Sequence, residues 1–290
     1  MKLVTQTEVL SERLCDEAAI KIICESGFDG IDYSMFRMSK DNDILNSADY
    51  MNHIKEIKKI ADSYNVTFEQ AHSPFPTIKE NDAEYSEKNI DRVKRSLEIA
   101  GYLGSSVCVV HPVVFSTDQF EKNIEMYLSL EPYAKDYGVK IALENMWGWD
   151  NTDKKIIPNV CSTAEDFNRY VDALNPEYFT ACLDLGHCGL VGEDAASMIK
   201  DMGQKRLGAL HVHDNDNVHD SHTMPYISKM NWPSILMALA EIDYAGNFTY
   251  EADNFLRTFP DSMLPVCSKF MHDIGREMIN KIEKYKGIKR

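Results

Sequence analysis

Eight short apolar runs alternate with longer amphipathic segments along the chain, and this alternation is the feature that most constrains the fold. Each run is short and apolar throughout, which is typical of a strand buried on both faces in a parallel sheet. The eight predicted strands are Lys2–Thr5, Gly30–Tyr33, Val66–Ala71, Ser106–His111, Val139–Glu144, Tyr178–Asp184, Leu207–His211 and Gly246–Glu251.

Helical spacing of apolar residues is found in the intervals between these strands. In one interval the apolar residues are three, four and three positions apart: Ile90, Val93, Leu97 and Ala100. In the last interval they are four positions apart: Val266, Phe270, Ile274 and Met278. Such spacing predicts helices that each bury one apolar stripe against the sheet.

Eight strand–helix units in 290 residues predict an α/β protein with a single (β/α)₈ TIM barrel, which typically needs about 250 residues. An open, doubly wound sheet is the structural alternative. It would usually carry a Gly-rich phosphate turn after the first strand, and Thr5-Gln6-Thr7 is not such a turn. Because the sequence has no linker-like or low-complexity stretch, we expect one domain over residues 1–290.

Polar side chains gather where the predicted strands end. Three carboxylates close the fifth, sixth and eighth strands: Glu144, Asp184 and Glu251. Seven of the nine histidines lie at or just beyond a strand end: His72, His111, His187, His211, His213, His219 and His222. One such histidine is ordinarily a satisfied polar residue. A whole set left unpaired would cost several kcal/mol, so the pattern predicts an active site at the carboxyl-terminal mouth.

The alternation of side chains along a strand sharpens this expectation. If Glu144, Asp184, His211 and Glu251 point into the barrel, the residues two positions earlier must do so too. Those residues are all small: Ala142, Cys182, Ala209 and Thr249. The third strand is less regular, because placing His72 inside leaves Glu69 facing the helices unless a bulge intervenes.

Two glutamates, one aspartate and one histidine form a mixed oxygen and nitrogen ligand set. We therefore predict one divalent metal ion held by Glu144, Asp184, His211 and Glu251. The set suits Mn²⁺, Zn²⁺, Co²⁺ or Mg²⁺, and it contains no thiolate that would single out zinc.

The same segments resemble those of the xylose isomerase-like barrels, the sugar phosphate isomerase/epimerase superfamily. Six segments match in order along nearly the whole chain: His72-Ser73-Pro74-Phe75, Val110-His111-Pro112, Leu143-Glu144-Asn145, Leu183-Asp184-Leu185-Gly186-His187, His211-Val212-His213-Asp214 and Tyr250-Glu251. The resemblance implies a metal-dependent isomerase or epimerase of a sugar or sugar phosphate, which moves a proton next to a carbonyl through an enediolate.

The resemblance also implies residue roles. In the ketose 3-epimerases of this group the two metal-binding glutamates, here Glu144 and Glu251, are the proton-transfer pair. The histidine at the position of His187 contacts substrate oxygens, so we count it with the catalytic residues. Dehydration, as in the related inosose dehydratases, is a variant on the same metal site, and the sequence does not choose between these outcomes.

A different alternative comes from the same superfamily, which includes endonuclease IV, a DNA repair enzyme with three zinc ions. Its additional ligands fall at positions like His72 and His111, and at possible further metal ligands here: His187, Asp220 and His222. More than one zinc ion is therefore an open alternative. A net charge of −15 and site loops without a basic stripe argue against DNA, so no nucleic-acid partner is expected.

Four further residues are predicted to contact substrate: His72, His111, Trp147 and His213. His213 follows His211 by two positions and so lies on the same side of its strand. Trp147 follows Glu144 in a long loop. It either forms an apolar wall over a sugar or anchors the loop by packing.

Composition bears on location and partners. No apolar run approaches the roughly 20 residues of a membrane span, and the N-terminus lacks the apolar core of a signal peptide. Seven scattered cysteines without a CxxC pair are typical of a reducing compartment. We therefore expect a cytoplasmic enzyme of carbohydrate metabolism with a small carbohydrate substrate and no membrane partner, and we leave a homo-oligomer open.

Overall fold

The computed structural model describes residues 1–288. The strands are β1 (Leu3–Gln6), β2 (Gly30–Ser34), β3 (Thr67–His72), β4 (Val107–Val109), β5 (Lys140–Glu144), β6 (Trp147–Asp150), β7 (Lys155–Pro158), β8 (Phe179–Asp184), β9 (Leu207–His211) and β10 (Phe248–Tyr250). The helices are α1 (Glu8–Arg13), α2 (Asp16–Ser26), α3 (Tyr50–Ser63), α4 (Ala83–Leu103), α5 (Gln119–Tyr137), α6 (Ala164–Asp172), α7 (Leu185–Leu190), α8 (Ala195–Arg206), α9 (Trp232–Glu241) and α10 (Leu264–Ile288).

Eight of these strands form one parallel sheet in the order β10-β1-β2-β3-β4-β5-β8-β9. The sheet comes round on itself through a parallel bridge between Val212 and Tyr250. There the Val212 amide donates to the Thr249 carbonyl at 2.9 Å, and the Glu251 amide donates to the Val212 carbonyl at 3.2 Å. The predicted TIM barrel is confirmed, and the predicted strand bounds differ from the observed ones by at most two residues.

The predicted alternation of faces is also found. The barrel interior holds a small apolar cluster of its own: Val107, Val109, Ala142, Cys182 and Ala209. The large neighbours on the same strands belong to the core between sheet and helices: Ile141, Leu143, Leu183 and Leu210. Small residues below the mouth leave room for the polar side chains above them.

The irregularity expected in the third strand is a bulge. Asp32 of β2 pairs with Gln70, although the preceding residue pairs with Phe68, so Glu69 is skipped in the register. The skipped Glu69 accepts from Lys2 Nζ at 2.6 Å and from Asn247 Nδ2 at 3.2 Å, near the strand starts. Because of the bulge, the Glu69 side chain lies at the bottom of the barrel, whereas the His72 side chain lies at the mouth.

The predicted buried stripe of the last helix is wrong in its first half. Val266 and Phe270 are 67% and 49% exposed. The buried face instead includes Cys267, Met271 and Met278. The buried face also contains residues four positions apart, Cys267, Met271, Gly275 and Ile279, so the predicted run differs from it by one position along the helix.

No helix within residues 1–288 combines the length and the apolar character that a membrane crossing requires.

Candidate metal centre

Four side chains converge at the mouth of the barrel, where β5, β8, β9 and β10 end. They are Glu144, Asp184, His211 and Glu251, all buried, and one ligand atom of each lies within 4.8 Å of the others. His211 Nδ1 is at the centre of the group. It lies 3.2 Å from Glu144 Oε1, 3.1 Å from Glu251 Oε2 and 3.9 Å from Asp184 Oδ2.

The donor atoms of this group fit a divalent metal ion. Both ring nitrogens of His211, together with Glu144 Oε2 and Glu251 Oε2, are buried and form no hydrogen bond of acceptable geometry. Buried polar atoms without a partner are costly, and several in one place indicate a missing common partner. Three carboxylates and one imidazole whose ligand atoms lie within 4.8 Å of one another would supply an ion with oxygen and nitrogen donors.

The charge state of the two glutamates agrees with this fit. Burial raises the pKa of Glu144, but His211 and His111 outweigh it and hold the pKa well below its usual range. Burial likewise raises the pKa of Glu251, and His211 and His222 lower it well below the usual range. Both side chains are therefore carboxylates at neutral pH, the form that binds metal and accepts protons.

A second cluster adjoins the first and contains His187, Asp220 and His222, together with His213. His187 Nδ1 donates to the Asn145 carbonyl at 2.8 Å, and His222 Nδ1 donates to the Glu251 carbonyl at 2.9 Å. These bonds turn both Nε2 atoms toward Asp220, at 3.4 Å and 3.1 Å. A backbone carbonyl that holds one ring nitrogen and frees the other is the usual support of a metal-binding histidine.

The carboxylates around His187 favour its protonated form. Burial lowers its pKa, but the carboxylates of Asp184 and Asp220 raise the pKa to about 10. In that state its ring can donate to a substrate oxygen.

His213 lies deeper than the sequence suggested. Its side chain is fully buried, Nε2 lies 2.9 Å from Asp184 Oδ1, and its ring stacks on His222 at 3.9 Å between centroids. In this structure it therefore contacts a predicted metal ligand, and its predicted contact with substrate stays a prediction.

His72 belongs to a polar network that the sequence analysis missed. Its Nδ1 lies 2.9 Å from Asp32 Oδ1, and Gln70 Nε2 donates to Asp32 Oδ2 at 3.0 Å. Its Nε2 has no hydrogen bond and faces Glu251 Oε1 at 3.8 Å. The available signal was the acidic residue Asp32 at the centre of the apolar second strand.

His111 completes the other side of the centre. Its Nε2 lies 3.0 Å from Glu144 Oε2, while its buried Nδ1 has no hydrogen bond. Two phenylalanine rings pack on the imidazole, Phe75 at 4.7 Å and Phe36 at 5.8 Å between centroids. These rings place apolar surface beside Glu144 at the open end of the barrel.

Trp147 begins a hairpin of β6 and β7, so the long loop after β5 is more regular than the sequence indicated. Its indole Nε1 donates to Asp220 Oδ2 at 3.0 Å, and the ring is half-buried. The hydrogen bond anchors the loop, and the predicted contact of Trp147 with substrate stays a prediction.

A cleft of about 820 Å³ opens at the opposite end of the barrel. It is lined by the starts of four strands, including Val107, Lys140, Thr180 and Leu207. Barrel enzymes carry their chemistry at the other face, and Glu177 is the only acidic or histidine side chain among the described residues that line this cleft. We assign no chemistry to it.

Residues 20–263 match the family described as the xylose isomerase-like TIM barrel. The chain belongs to this family. The match includes the bulge, both clusters and every predicted site residue.

A relative from Methanocaldococcus jannaschii, the uncharacterised protein MJ1311, is 26% identical over 214 residues, which are 69% of this chain and 69% of the relative. Among solved structures, a D-tagatose 3-epimerase-like protein has a TM-score of 0.73 at 21% identity, covering 98% of this chain and 99% of that one. An L-ribulose 3-epimerase has a TM-score of 0.74 at 13% identity, covering 99% and 97%. At these identities the structures establish a shared fold.

Proposed function

We propose that the protein is a divalent-metal-dependent isomerase or epimerase of a sugar or sugar phosphate. The observation that carries the proposal is the pair Glu144 and Glu251. Their carboxylates come from strands separated by β8 and β9, yet lie 3.2 Å and 3.1 Å from the same nitrogen of His211. Two carboxyl groups at one site, one ionised to remove a proton and the other protonated to return one, are what a proton transfer between two faces of a substrate requires.

Glu144, Asp184, His211 and Glu251 would hold the ion, for which Mn²⁺, Zn²⁺, Co²⁺ and Mg²⁺ all suit the donor set. A bound divalent ion supplies Lewis acidity, which polarises a carbonyl and makes the adjacent C–H bond more acidic.

The side chains perform the proton transfer. One glutamate removes the proton next to the carbonyl, which leaves an enediolate and protonates that glutamate. The other, after taking up a proton from solvent, returns it from the opposite face, and exchange with solvent then restores both groups. Gln6 Nε2 donates to Glu251 Oε1 at 3.1 Å and fixes the orientation of that carboxylate. On the other side, His111 Nε2 lies 3.0 Å from Glu144 Oε2 and stabilises its charge without a hydrogen bond of acceptable geometry.

The carbon that receives the proton decides the product. Return to the same carbon from the other face gives an epimer, and return to the neighbouring carbon gives an isomer. Loss of a β-hydroxyl from the same intermediate gives dehydration, as expected of an inosose-type dehydratase. His187 is suited to donate to a substrate oxygen during these steps, because its pKa is raised to about 10.

The structural neighbours support this class of reaction, since the two compared above are named as a D-tagatose 3-epimerase-like protein and an L-ribulose 3-epimerase. A small carbohydrate is therefore the proposed substrate. We also propose a cytoplasmic location, which the seven free cysteines support.

A second candidate is a multi-zinc phosphodiester hydrolase similar to endonuclease IV. The second cluster favours it, because the backbone carbonyls that fix His187 and His222 leave both Nε2 atoms directed at Asp220. The net charge of −15 opposes it, since phosphodiester substrates are bound through clustered Lys and Arg.

Incubation in deuterated water with Mn²⁺ tests the first proposal. Aldoses, ketoses, inososes and their phosphates are screened by NMR for deuterium at the carbon next to the carbonyl. We expect exchange with at least one compound and none after metal removal. Absence of exchange across the panel, together with Zn²⁺-dependent cleavage of abasic-site DNA, would favour the hydrolase.

A further inference from the structure

A cavity of about 270 Å³ lies beside the metal centre, between the loops that follow β3, β4 and β5. Its walls are mostly apolar and include Phe75, Pro76, Ile78, Val114, Met146 and Trp147. Of these wall residues only Trp147 is assigned a contact with substrate above.

The cavity lies on the side of the centre that carries Glu144. Phe75 forms one wall and packs on His111 with 4.7 Å between ring centroids. His111 in turn lies 3.0 Å from Glu144 Oε2. Trp147 forms another wall and is held by its hydrogen bond to Asp220. Through Phe75 and His111 the cavity therefore adjoins the position at which a substrate would react with Glu144.

The charged groups in the lining already have partners. Glu80 accepts from the backbone and the hydroxyl of Ser116, at 2.9 Å and 3.0 Å, and lies 3.5 Å from Lys122. Lys79 Nζ sits 4.0 Å from the centroid of the Tyr85 ring. The cavity thus presents apolar and aromatic faces with a satisfied polar rim, which suits an uncharged group better than a phosphate.

We propose that this cavity is a second subsite, and that it binds a neutral ring attached to the non-reacting end of a keto sugar. This inference rests on the proposed function and narrows its substrate class to glycosides. Its size agrees, because pockets for whole drug-sized ligands measure roughly 300–1,000 Å³, and one of about 270 Å³ accommodates a single ring. A sugar ring and an aromatic aglycone share the required chemistry.

Binding of non-reacting probes tests the subsite without turnover. Methyl β-D-glucoside, phenyl β-D-glucoside and cellobiose are titrated into the Mn²⁺-loaded protein and followed by NMR. The test variant is Val114→Trp, which fills the rim of the cavity at a residue that is 58% exposed. The matched control is Val266→Trp, on the outer side of α10, where the valine is 67% exposed.

We expect a ring substituent to tighten binding by about tenfold or more over the methyl glucoside, because remote contacts add binding energy. Val114→Trp should remove that gain and leave the methyl glucoside unchanged, whereas Val266→Trp should change neither. A preference for cellobiose would identify the occupant as a sugar ring, and a preference for the phenyl compound as an aromatic one. Equal binding of all three probes, or insensitivity to Val114→Trp, would overturn the subsite.

Turnover separates this inference from the proposed function. Deuterium incorporation is measured for D-fructose, its 6-phosphate and the keto disaccharide lactulose. We expect lactulose to be favoured and the phosphate disfavoured; a preferred phosphate would overturn the inference. If keto sugars exchange deuterium but ring-bearing compounds exchange no faster, the proposed function is supported and the subsite is contradicted. If the probes bind in a way that depends on the cavity but no compound exchanges deuterium, the subsite is supported and the proposed function is contradicted.

Discussion

His72 Nδ1 lies 2.9 Å from Asp32 Oδ1, and both side chains are completely shielded from solvent. A carboxylate at one ring nitrogen fixes the tautomer and the orientation of an imidazole. Here the bond directs His72 Nε2 toward Glu251, and the His72 ring stacks on His211 with 4.4 Å between centroids. Asp32 therefore orients His72 directly and supports His211 through the stacked rings, although Asp32 is not one of the four predicted metal ligands.

Asp32→Asn should lower the rate of substrate deuterium exchange by about 10–100-fold. The amide can present its NH₂ group to His72 and so release the ring from its present orientation. The rate is measured beside the thermal unfolding midpoint and the metal content. Asp62→Asn, on the exposed end of α3, is the matched control. An Asp32→Asn rate equal to wild type would show that the buried carboxylate has no role in positioning.

Gly186→Ala should weaken metal binding by displacing His213, which contacts the predicted ligand Asp184. A Cβ at this position would overlap the His213 ring, with His213 Nε2 only 2.6 Å away. His213 would have to move and break its 2.9 Å contact with Asp184. We expect metal affinity to fall by about tenfold or more, measured by competition with a chelating dye. Gly287→Ala, where nothing lies within 4 Å, should have no effect. Unchanged affinity in Gly186→Ala would contradict the support of Asp184 by His213.

A partly buried ion pair outside the site should make stability depend on pH. His53 Nε2 lies 2.8 Å from Asp16 Oδ2, and Tyr33 donates to the same oxygen at 2.7 Å. The bond to Asp16 raises the pKa of His53 above 6.5, against the opposing effect of burial. Burial raises the pKa of Asp16, but its hydrogen bonds outweigh this and lower it below 3.8.

The signs follow from linkage. A raised histidine pKa stabilises the fold fully below about pH 6.5, and this contribution is lost as the pH rises through the folded pKa. A lowered aspartate pKa stabilises above about pH 3.8 and is lost on acidification. His53→Gln should therefore cost about 1 kcal/mol more at about pH 6 than at about pH 9. Urea unfolding at both values measures this, with the exposed His219→Gln as control. An equal cost at both pH values would contradict the ion pair.

Metal content and DNA binding separate the two candidate functions. We expect near one tightly held ion per chain after dialysis, and no binding of an abasic duplex at about 150 mM salt. The net charge of −15 repels the DNA phosphates, and this repulsion does not depend on the nucleotide sequence. Elemental analysis and fluorescence anisotropy make the two measurements. Near three zinc ions per chain, together with salt-sensitive binding and cleavage, would place the hydrolase first.

The barrel and the convergence of its strand-end residues followed from local pattern. Alternating faces alone located the small interior residues below Glu144, Asp184 and His211, because strand geometry leaves few other arrangements. The single-domain organisation over residues 1–290 and the roles of the site residues stay predictions.

The features that the sequence did not predict depend on contacts between residues that are far apart along the chain. The bond of Asp32 to His72 joins two strands that are 40 residues apart. The position of His213 behind Asp184 depends on space left by Gly186. The exposed half of the α10 stripe depends on how that helix rotates against α2 and α9. Asp32 was marked only by its charge within an apolar strand, and spacing does not say which distant side chain each of these residues meets.

The central claim is that Glu144 and Glu251 exchange protons with opposite faces of one substrate. Its most direct test is deuterium exchange by Glu144→Gln and Glu251→Gln, with metal content measured in each sample. Gln keeps the size of the side chain and one oxygen donor but cannot accept a proton. Each variant should lose about 10²–10⁴ in overall rate. In an epimerase, one of them should still exchange the α-hydrogen of one epimer only. Near-wild-type rates in both variants with full metal would contradict the two-glutamate mechanism and direct attention to His187 or His213 as the base.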